Sequence, residues 1–598
     1  MRIALGCVVA AGFLSAQDGS SLYDRSCASC HNGGHDRAPS RDALRSMSAD
    51  RVLAAMESGP MISMAVRLTT ADRRAIAEFV SGKPIGQPLV TTPSAKAMCP
   101  GAPGPFALNG PMWTGWGGDG SNTRFQSTSG IAAADVPRLK VKWAFAFPGD
   151  IQAYSQPTLA GGRVFVGSPG GKVYSLDAKS GCVHWFLDAE AGVRTAVTLA
   201  NTAAFFGDAK ANVYGVDAAT GKQLWKTKVD AFPVAGITGS PVFHNGRIYI
   251  GVRSGEEASG ADPNYECCRF RGSVVALDAA TGKQIWKTYL VDEPKRTTKN
   301  QAGAQLWGPS GVPVWSTPVI DARRNSVYVT TGNNYTDPTT RFSDAFVALD
   351  LNSGKILWSR QMTAKDAYTA ACRLPDKTNC ADSNGPDFDF GSSPILVTLP
   401  NGKRALIAGQ KSGVVHAVDP DNQGEVLWQT RVAKGGTAGG VQWGSAVDQN
   451  NVYVAVSDIG RIMLTYTTST DADPKQGGGM FALRLDNGER VWYTAPEPCA
   501  RPRCSPAQSA AVSAIPGVVF SGSVDGHLRA YASAGGKVVW DFDTAQNFET
   551  VNGVPGHGGS LDGPGAAIGG GMLFVNSGYP TSGGLPGNVL LAFSVDGK

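Results

Sequence analysis

The stretch Val274-Val275-Ala276-Leu277-Asp278-Ala279-Ala280-Thr281-Gly282-Lys283-Gln284-Ile285-Trp286 decides the fold. An apolar run ends on Asp, a turn follows with Gly where positive φ is needed, and a second short run ends on Trp. That is a β-hairpin. The phrase recurs from Val173 to Trp185, from Val213 to Trp225 and from Phe346 to Trp358. Degenerate copies end at Trp428, Trp492 and Trp540. A half-copy, Val589-Leu590-Leu591-Ala592-Phe593, lacks its Trp strand, and an orphan Trp strand, Leu139-Lys140-Val141-Lys142-Trp143, stands far upstream. Each repeat reads as a four-stranded antiparallel blade, and the orphan strand completes the last one. The expectation is an all-β eight-bladed β-propeller over residues 111–598, with the Trp rings packed between blades.

Composition agrees with a turn-rich β protein. The chain has 598 residues, 75 of them Gly and 36 Pro, with 17% charged and 42% hydrophobic. Its net charge of +5 is spread thinly, without the Lys/Arg runs that nucleic acid or an anionic membrane would need. Arg2, an apolar run from Ala4 to Leu14 and Ser15-Ala16 read as a secretory signal over residues 1–16, which implies a periplasmic protein. No apolar run is long enough to span a bilayer.

Ahead of the propeller, Cys27-Ala28-Ser29-Cys30-His31 is an attachment signature for haem c. Two thiols add to the haem vinyl groups and His31 comes to lie under the iron. A redox dithiol would not need the adjacent His, and no second Cys/His pair follows at zinc spacing. A sixth ligand is expected from a thioether tens of residues downstream, and Gly59-Pro60-Met61-Ile62-Ser63-Met64 offers two, Met61 and Met64. Met47 and Met56 read as core, and His35 lies too near His31 to reach the opposite face. Leu68 to Val80 then reads as an amphipathic helix started by Thr and ended by Gly82. This arrangement resembles the Met-loop and final helix of small class I cytochromes c, which implies a small all-α cytochrome c domain over 17–82 with Met61 as sixth ligand and Met64 as the fallback; a Pro/Gly-rich linker follows over 83–110.

Cys7 falls in the signal and Cys27 and Cys30 are committed, so eight cysteines remain for disulfides. Cys372/Cys380 and Cys499/Cys504 are close enough to staple local loops, and Cys99 with a propeller cysteine such as Cys182 would tack down the linker.

Within each blade, the loop before the inner strand and the loop between its second and third strands open on one face, so their residues converge near the axis. The first set holds Arg194, Thr238, Trp315, Asp387-Phe388-Asp389, Trp443 and Asp562. The second holds Glu256-Glu257, Asn333-Asn334, Lys411 and Asp458. Carboxylate and amide oxygens suit a hard cation, basic side chains suit an anionic cofactor, and a large aromatic offers a stacking floor. An isolated Asp or Asn in a turn is ordinary turn chemistry; their convergence on one face is the signal.

On these motifs the propeller resembles the quinoprotein alcohol dehydrogenases, eight-bladed proteins that bind pyrroloquinoline quinone (PQQ) and Ca²⁺. The resemblance implies that Ser254-Gly255-Glu256-Glu257 supplies the metal ligand Glu257, with Glu256 next in line, and that Thr331-Gly332-Asn333 supplies Asn333. It implies that Trp315 stacks on the quinone, that Arg194 and Thr238 bind it, and that Lys411 contacts its oxygens. Asp387 becomes the base and a further metal ligand, with Asp366 the weaker candidate. Asp389 adds a carboxylate where lanthanide-using members carry one, which makes a lanthanide the alternative to calcium.

One departure concerns Cys267-Cys268. The family's vicinal cysteines lie upstream of the Arg194 equivalent, whereas this pair lies in the Glu257 loop, so a role at the cofactor is carried over only by analogy. Haem ahead of the propeller resembles the polyvinyl-alcohol-oxidising branch of the family. It implies an alcohol substrate, polymeric or small, and a soluble cytochrome c as electron acceptor. The rivals are a cofactor-free propeller scaffold and a plain haem electron carrier.

Overall fold

The computed structural model describes residues 18–32, 38–57, 61–65, 68–87, 92–101, 104–375, 377–463, 470–501 and 504–598. The expected signal over 1–16, with Cys7, and His35 lie outside them. The chain divides into two compact units, residues 1–89 and 90–598.

Among the described residues of the larger unit, eight antiparallel blade sheets follow one another, the first spanning 158–188 and the seventh 513–543; seven are four-stranded and the third gains a fifth strand, Ala235–Gly236. The eighth is built from both ends of the unit. Strands Ala567–Gly569, Met572–Ser577 and Val589–Val595 take Leu139–Ala146 as their outer strand. Leu139 pairs with Val595 and Ala146 with Val589, so the ring closes as the repeat requires.

The recurring Trp joins each blade to the next. Trp286 Nε1 donates to the Leu351 carbonyl at 3.1 Å, one residue past the Asp350 turn of the following blade. The same bond runs from Trp143, Trp185, Trp225, Trp428 and Trp492 to Ala178, Ala218, Ala279, Leu485 and Ser533. Trp540 donates to Leu139, which carries the pattern across the closure. Among the described residues, the half-buried Trp358 makes no such bond. Gly282 shows why the turn is glycine: its φ is +71°, and a Cβ would lie 2.5 Å from the Trp225 ring.

The segment expected to link the domains is tacked down. Cys99 is bonded to Cys182, Ala97 is buried, and Phe106 packs edge-on against Phe165 at 5.5 Å. Beyond it, residues 113–126 fasten the inner ends of several blades. Asn122 donates to the carbonyls of Thr317, Pro318 and Pro394, and the fully buried Arg124 reaches Val512, Gln156 and Ser513.

Among its described residues the smaller unit is helical, without strands. Helix Thr70–Ser81 begins with a capping box between Thr69 and Asp72 and ends on Gly82 in the left-handed conformation. Its Ile76, Ala77 and Val80 are buried. Helix Gly19–Ser26 crosses it so closely that a Cβ on Gly19 would meet the Ala75 carbonyl at 2.4 Å. No helix among the described residues is long and apolar enough to cross a membrane.

The Trp bond gives an internal control. Trp286→Ala should cost about 3–5 kcal/mol, the usual price of a large aromatic removed from a core. Trp358→Ala should cost about 1 kcal/mol less, since it loses no comparable hydrogen bond. Urea unfolding followed by circular dichroism would rank the two.

Candidate active site

Four of the expected residues form one charged cluster. Glu257 comes from the short helix Glu256–Ser259, which leaves the second strand of the third blade, and Lys411 from the turn after Arg404–Gly409 in the fifth. Asp387 and Asp389 come from the extended segment that enters the fifth blade. Carboxylate oxygens of Glu257, Asp387 and Asp389 lie within 4.8 Å of one another. Lys411 Nζ donates to Asp387 Oδ1 at 2.9 Å and to Asp389 Oδ2 at 3.1 Å. Asp387, Asp389 and Lys411 are all buried.

Three carboxylates around one ammonium leave an excess of negative charge in a dry place. Burial, then Asp389, pushes Glu257 up to about 7 against the opposing pull of Lys411 and Arg373. Burial also raises Asp387 well above the usual carboxylate range, although Lys411 opposes it. Burial works against the charge of Lys411, but Asp387, Asp389 and Glu257 outweigh it and its pKa is raised. Asp344, fully buried nearby with neither carboxylate oxygen hydrogen-bonded, is also driven far up by burial.

Asn333 supplies the test of whether this cluster suits a cation. Its amide nitrogen donates to the carbonyls of Asn334 and Tyr368, and its backbone N–H donates to Asp389 Oδ1 at 2.6 Å. That orients its Oδ1, which is buried and has no hydrogen-bond partner. An orphaned amide oxygen on the residue whose N–H binds Asp389, one of the three clustered carboxylates, adds a donor of the kind a hard cation takes. Gly332 makes the approach feasible, since a Cβ there would stand 2.6 Å from Asp389 Oδ1.

Asp366, the weaker candidate for the base, has a different task. Its two carboxylate oxygens accept the backbone N–H groups of Asp387 at 3.1 Å and Phe388 at 2.7 Å. Asp387 has φ +61°, a left-handed conformation that costs a non-glycine residue energy. The Asp366 clamp holds that turn and hence the direction of the Asp387 side chain. Glu256 is likewise an anchor: it accepts from Arg269 N, Phe270 N and Tyr265 Oη. It leaves Glu257 as the glutamate of the acidic cluster.

Beside the cluster is a narrow cleft lined by Trp315, Trp443, Arg194, Thr238, Tyr154 and Trp116, among others. Trp315 meets Trp443 edge-on at 5.3 Å and lies 5.5 Å from Lys411 Nζ. A Cβ on Gly391 would stand 2.3 Å from the Trp315 ring, so glycine allows the indole to fit. Arg194 stacks over Trp443 at 4.2 Å and donates to Tyr579 Oη at 2.8 Å. Asp562 accepts from Trp443 Nε1, while Asp458 accepts the backbone N–H groups of Lys434, Gly435 and Gly440 and so holds the segment that enters its blade. Arg253, absent from the sequence-based set, donates to Thr238 Oγ1 at 3.0 Å. Burial, then the charge of Arg194, lowers its pKa. Two guanidinium groups set against each other in this way favour an anionic ligand.

Cys267 and Cys268 are bonded to each other and fully buried, but they line neither the cleft nor the acidic cluster. They pack with Ile237, Phe270 and Tyr335 in the hydrophobic core. Their vicinal spacing signalled a disulfide but not its surroundings. The other expected bridges, Cys372–Cys380 and Cys499–Cys504, are present.

In the smaller unit, His31 is buried and its Nδ1 lies 2.8 Å from the Pro39 carbonyl. A carbonyl can only accept, so Nδ1 carries the proton and Nε2 keeps its lone pair for a metal. Cys27 and Cys30 flank it as free thiols, Cys27 pushed up to about 11 by burial and by Cys30. Met61 is partly buried, whereas Met64 is 65% exposed, which favours Met61 of the two as a ligand.

A family model described as "Outer membrane protein assembly factor BamB" matches residues 128–378 and 411–554, the propeller repeats. A polyvinylalcohol dehydrogenase of a Pseudomonas species is 44% identical over 631 residues, covering 100% of this chain and 96% of its own. The chain belongs to the polyvinyl alcohol dehydrogenase family. A second member, from a Sphingopyxis species, is 40% identical over 97% of this chain and 93% of its own. Membership makes the chain an alcohol dehydrogenase; the assembly-factor repeats describe its scaffold. The quinohemoprotein alcohol dehydrogenase of Comamonas testosteroni shares the fold, with a TM-score of 0.59 at 19% identity over 82% of this chain and 81% of that one.

The charge excess makes stability depend on pH. With its pKa moved from 4.5 to about 7 by folding, Glu257 contributes stability that is full below pH 4.5 and lost as pH rises through 7. The loss is about 3 kcal/mol. In chelator, the difference in melting temperature between Glu257→Gln and the parent should therefore grow in the variant's favour between pH 5 and pH 8. Millimolar Ca²⁺ should reverse it at pH 8. Scanning calorimetry would show both effects, and a pH-independent difference would contradict them.

Proposed function

We propose that this chain is an exported quinohaemoprotein that oxidises alcohol groups to carbonyls, those of polyvinyl alcohol included. PQQ and Ca²⁺ would occupy the propeller, with a lanthanide as the alternative ion. Haem c would be held by Cys27, Cys30 and His31, with Met61 as sixth ligand, in a cytochrome c domain over 17–82. Electrons would leave through that haem to a soluble cytochrome c in the periplasm. The single observation that carries the reading is the buried Glu257–Asp387–Asp389–Lys411 cluster with the orphaned Asn333 oxygen, beside an aromatic slot bearing arginines.

Glu257, Asn333 Oδ1, Asp387 and Asp389 would hold the cation, and Trp315, Arg194 and Thr238 the quinone. Bound PQQ supplies the acceptor for the hydride that leaves the carbinol carbon. The chain's own residues do the rest. Asp387 takes the hydroxyl proton, its raised pKa placing it within reach of an alcohol's proton in a dry site. Lys411 stays charged and, 5.5 Å from the Trp315 ring, stands where negative charge developing on a ligand in the slot is stabilised. Asp366 holds the Asp387 backbone so that one carboxylate oxygen stays with Lys411 while the other faces the substrate. The partly buried indoles of Trp315 and Trp443, set edge-on, narrow the approach of water to the slot.

Purified full-length protein reconstituted with PQQ and Ca²⁺ should reduce its own haem when polyvinyl alcohol or a small secondary alcohol is added, followed at the haem absorption bands. Asp387→Ala should slow that reduction by about 10²–10⁴-fold while PQQ binding persists. His31→Ala should abolish haem reduction and leave the transfer to an artificial dye intact. Haem that forms but is reduced by no alcohol would instead mark an electron carrier, and a chain taking up neither cofactor a scaffold.

A further inference from the structure

The loop between the fourth and fifth blades carries a cation that the reading above does not use. Arg373 ends the short turn Ala370–Arg373, and its Nη2 lies 3.7 Å from Asp387 Oδ2. Its side chain is 59% exposed, against 2% for Asp387. The base is thus held between a buried ammonium on Oδ1 and an open guanidinium on Oδ2. A hydroxyl that meets Oδ2 lies beside Arg373. At 3.7 Å the contact is an ion pair rather than a hydrogen bond, so N–H donors remain for another acceptor.

The loop is also rigidly mounted. Cys372, next to Arg373, is bonded to Cys380. Thr369 Oγ1 donates to the Asn379 carbonyl, Asn379 Nδ2 to the Asp262 carbonyl, and Asn300 Nδ2 to Asn379 Oδ1, at 3.0, 2.8 and 2.8 Å. These bonds tie the loop to the segment that follows Glu257. A long, exposed arginine is usually a mobile surface group, but here its backbone is fixed from both sides beside the base, so less entropy is lost when it binds.

We propose that Arg373 determines specificity: it donates to a second oxygen of the substrate, borne two carbons from the reacting carbinol carbon, so that the enzyme favours 1,3-diol units over isolated alcohols. The inference rests on Asp387 being the base. The reacting hydroxyl donates to Asp387 Oδ2 while the neighbouring oxygen accepts from the guanidinium, a pairing that oxygens in 1,3 relation can span across 3.7 Å. An alcohol without that oxygen displaces water from Arg373 and returns nothing.

The test uses full-length enzyme loaded with PQQ and Ca²⁺ and compares kcat/KM for pentane-2,4-diol and 2-pentanol. The diol should be preferred by about ten- to a hundredfold, the worth of one charge-assisted hydrogen bond. Arg373→Gln should bring the ratio close to one, Arg373→Lys should restore part of it, and the Cys372→Ser/Cys380→Ser pair should lower it by loosening the mount. Equal rates for both alcohols in the parent would overturn the proposal, as would a ratio unchanged in Arg373→Gln. So would an equal fall for both alcohols with a displaced pH profile, which would show that Arg373 acts only on the charge of Asp387. Oxidation of neither alcohol by the parent would remove the reading of the site itself, and this inference with it.

Discussion

The hydrogen bond from each blade's indole to the next blade's turn carbonyl is the constraint on which the rest depends. It is short in range, repeated, and directional around the ring. Because Trp540 donates to Leu139, the series has no free end except at Trp358, and the eighth blade exists only when both ends of the propeller unit are in place. Glu257, Asn333, Asp387 and Lys411 belong to loops separated by up to 154 residues. They meet because the ring fixes the angle between successive sheets, and no local interaction among them could do so.

The ring supplies position, and the site then adds strain in charge. Three carboxylates and one lysine in a buried place are unfavourable by themselves, as the raised pKa values of Glu257 and Asp387 show. Such an arrangement is stable only if the scaffold contributes more than the site costs. The surrounding contacts are correspondingly overdetermined: Asp366 takes two N–H groups, Glu256 takes two and a phenol, and Asn333 uses every donor it has on neighbouring acceptors. What is left unsatisfied, the Asn333 oxygen and the negative excess, is what a cation would satisfy.

The repeat was legible because it is written in residue types with one physical use each: Asp and Gly for the turn, Trp for the joint. The cluster was legible in part, because loop position in a repeat predicts which face a residue occupies. The choice between Glu256 and Glu257 was not decided by pattern, since adjacent residues on a helical turn point in different directions and only the contacts of Tyr265, Arg269 and Phe270 separate them. Arg253 was hidden because a strand arginine reads as an edge or surface residue. The segment holding Trp116, Asn122 and Arg124 was hidden because it lies outside the repeat and its work is done by contacts with distant blades. For the Cys267–Cys268 pair, adjacency reveals a disulfide, while its packing with Ile237, Phe270 and Tyr335 depends on how the loop folds over.

The same reasoning explains where novelty can enter such a protein. Inner strands are committed to the ring and outer strands to the indole joints, so neither tolerates an insertion. The loop from 363 to 386 joins the outer strand of one blade to the segment carrying Asp387, so an insertion there changes the site's outer wall without touching closure. Such a loop pays for its length in entropy unless it is tied, and this one is tied by a disulfide and by Asn379. A short bridge next to Arg373 does little for global stability, because the loop it closes is small. Its physical effect is local: it fixes one side chain beside one carboxylate. Placement of that kind serves recognition rather than folding.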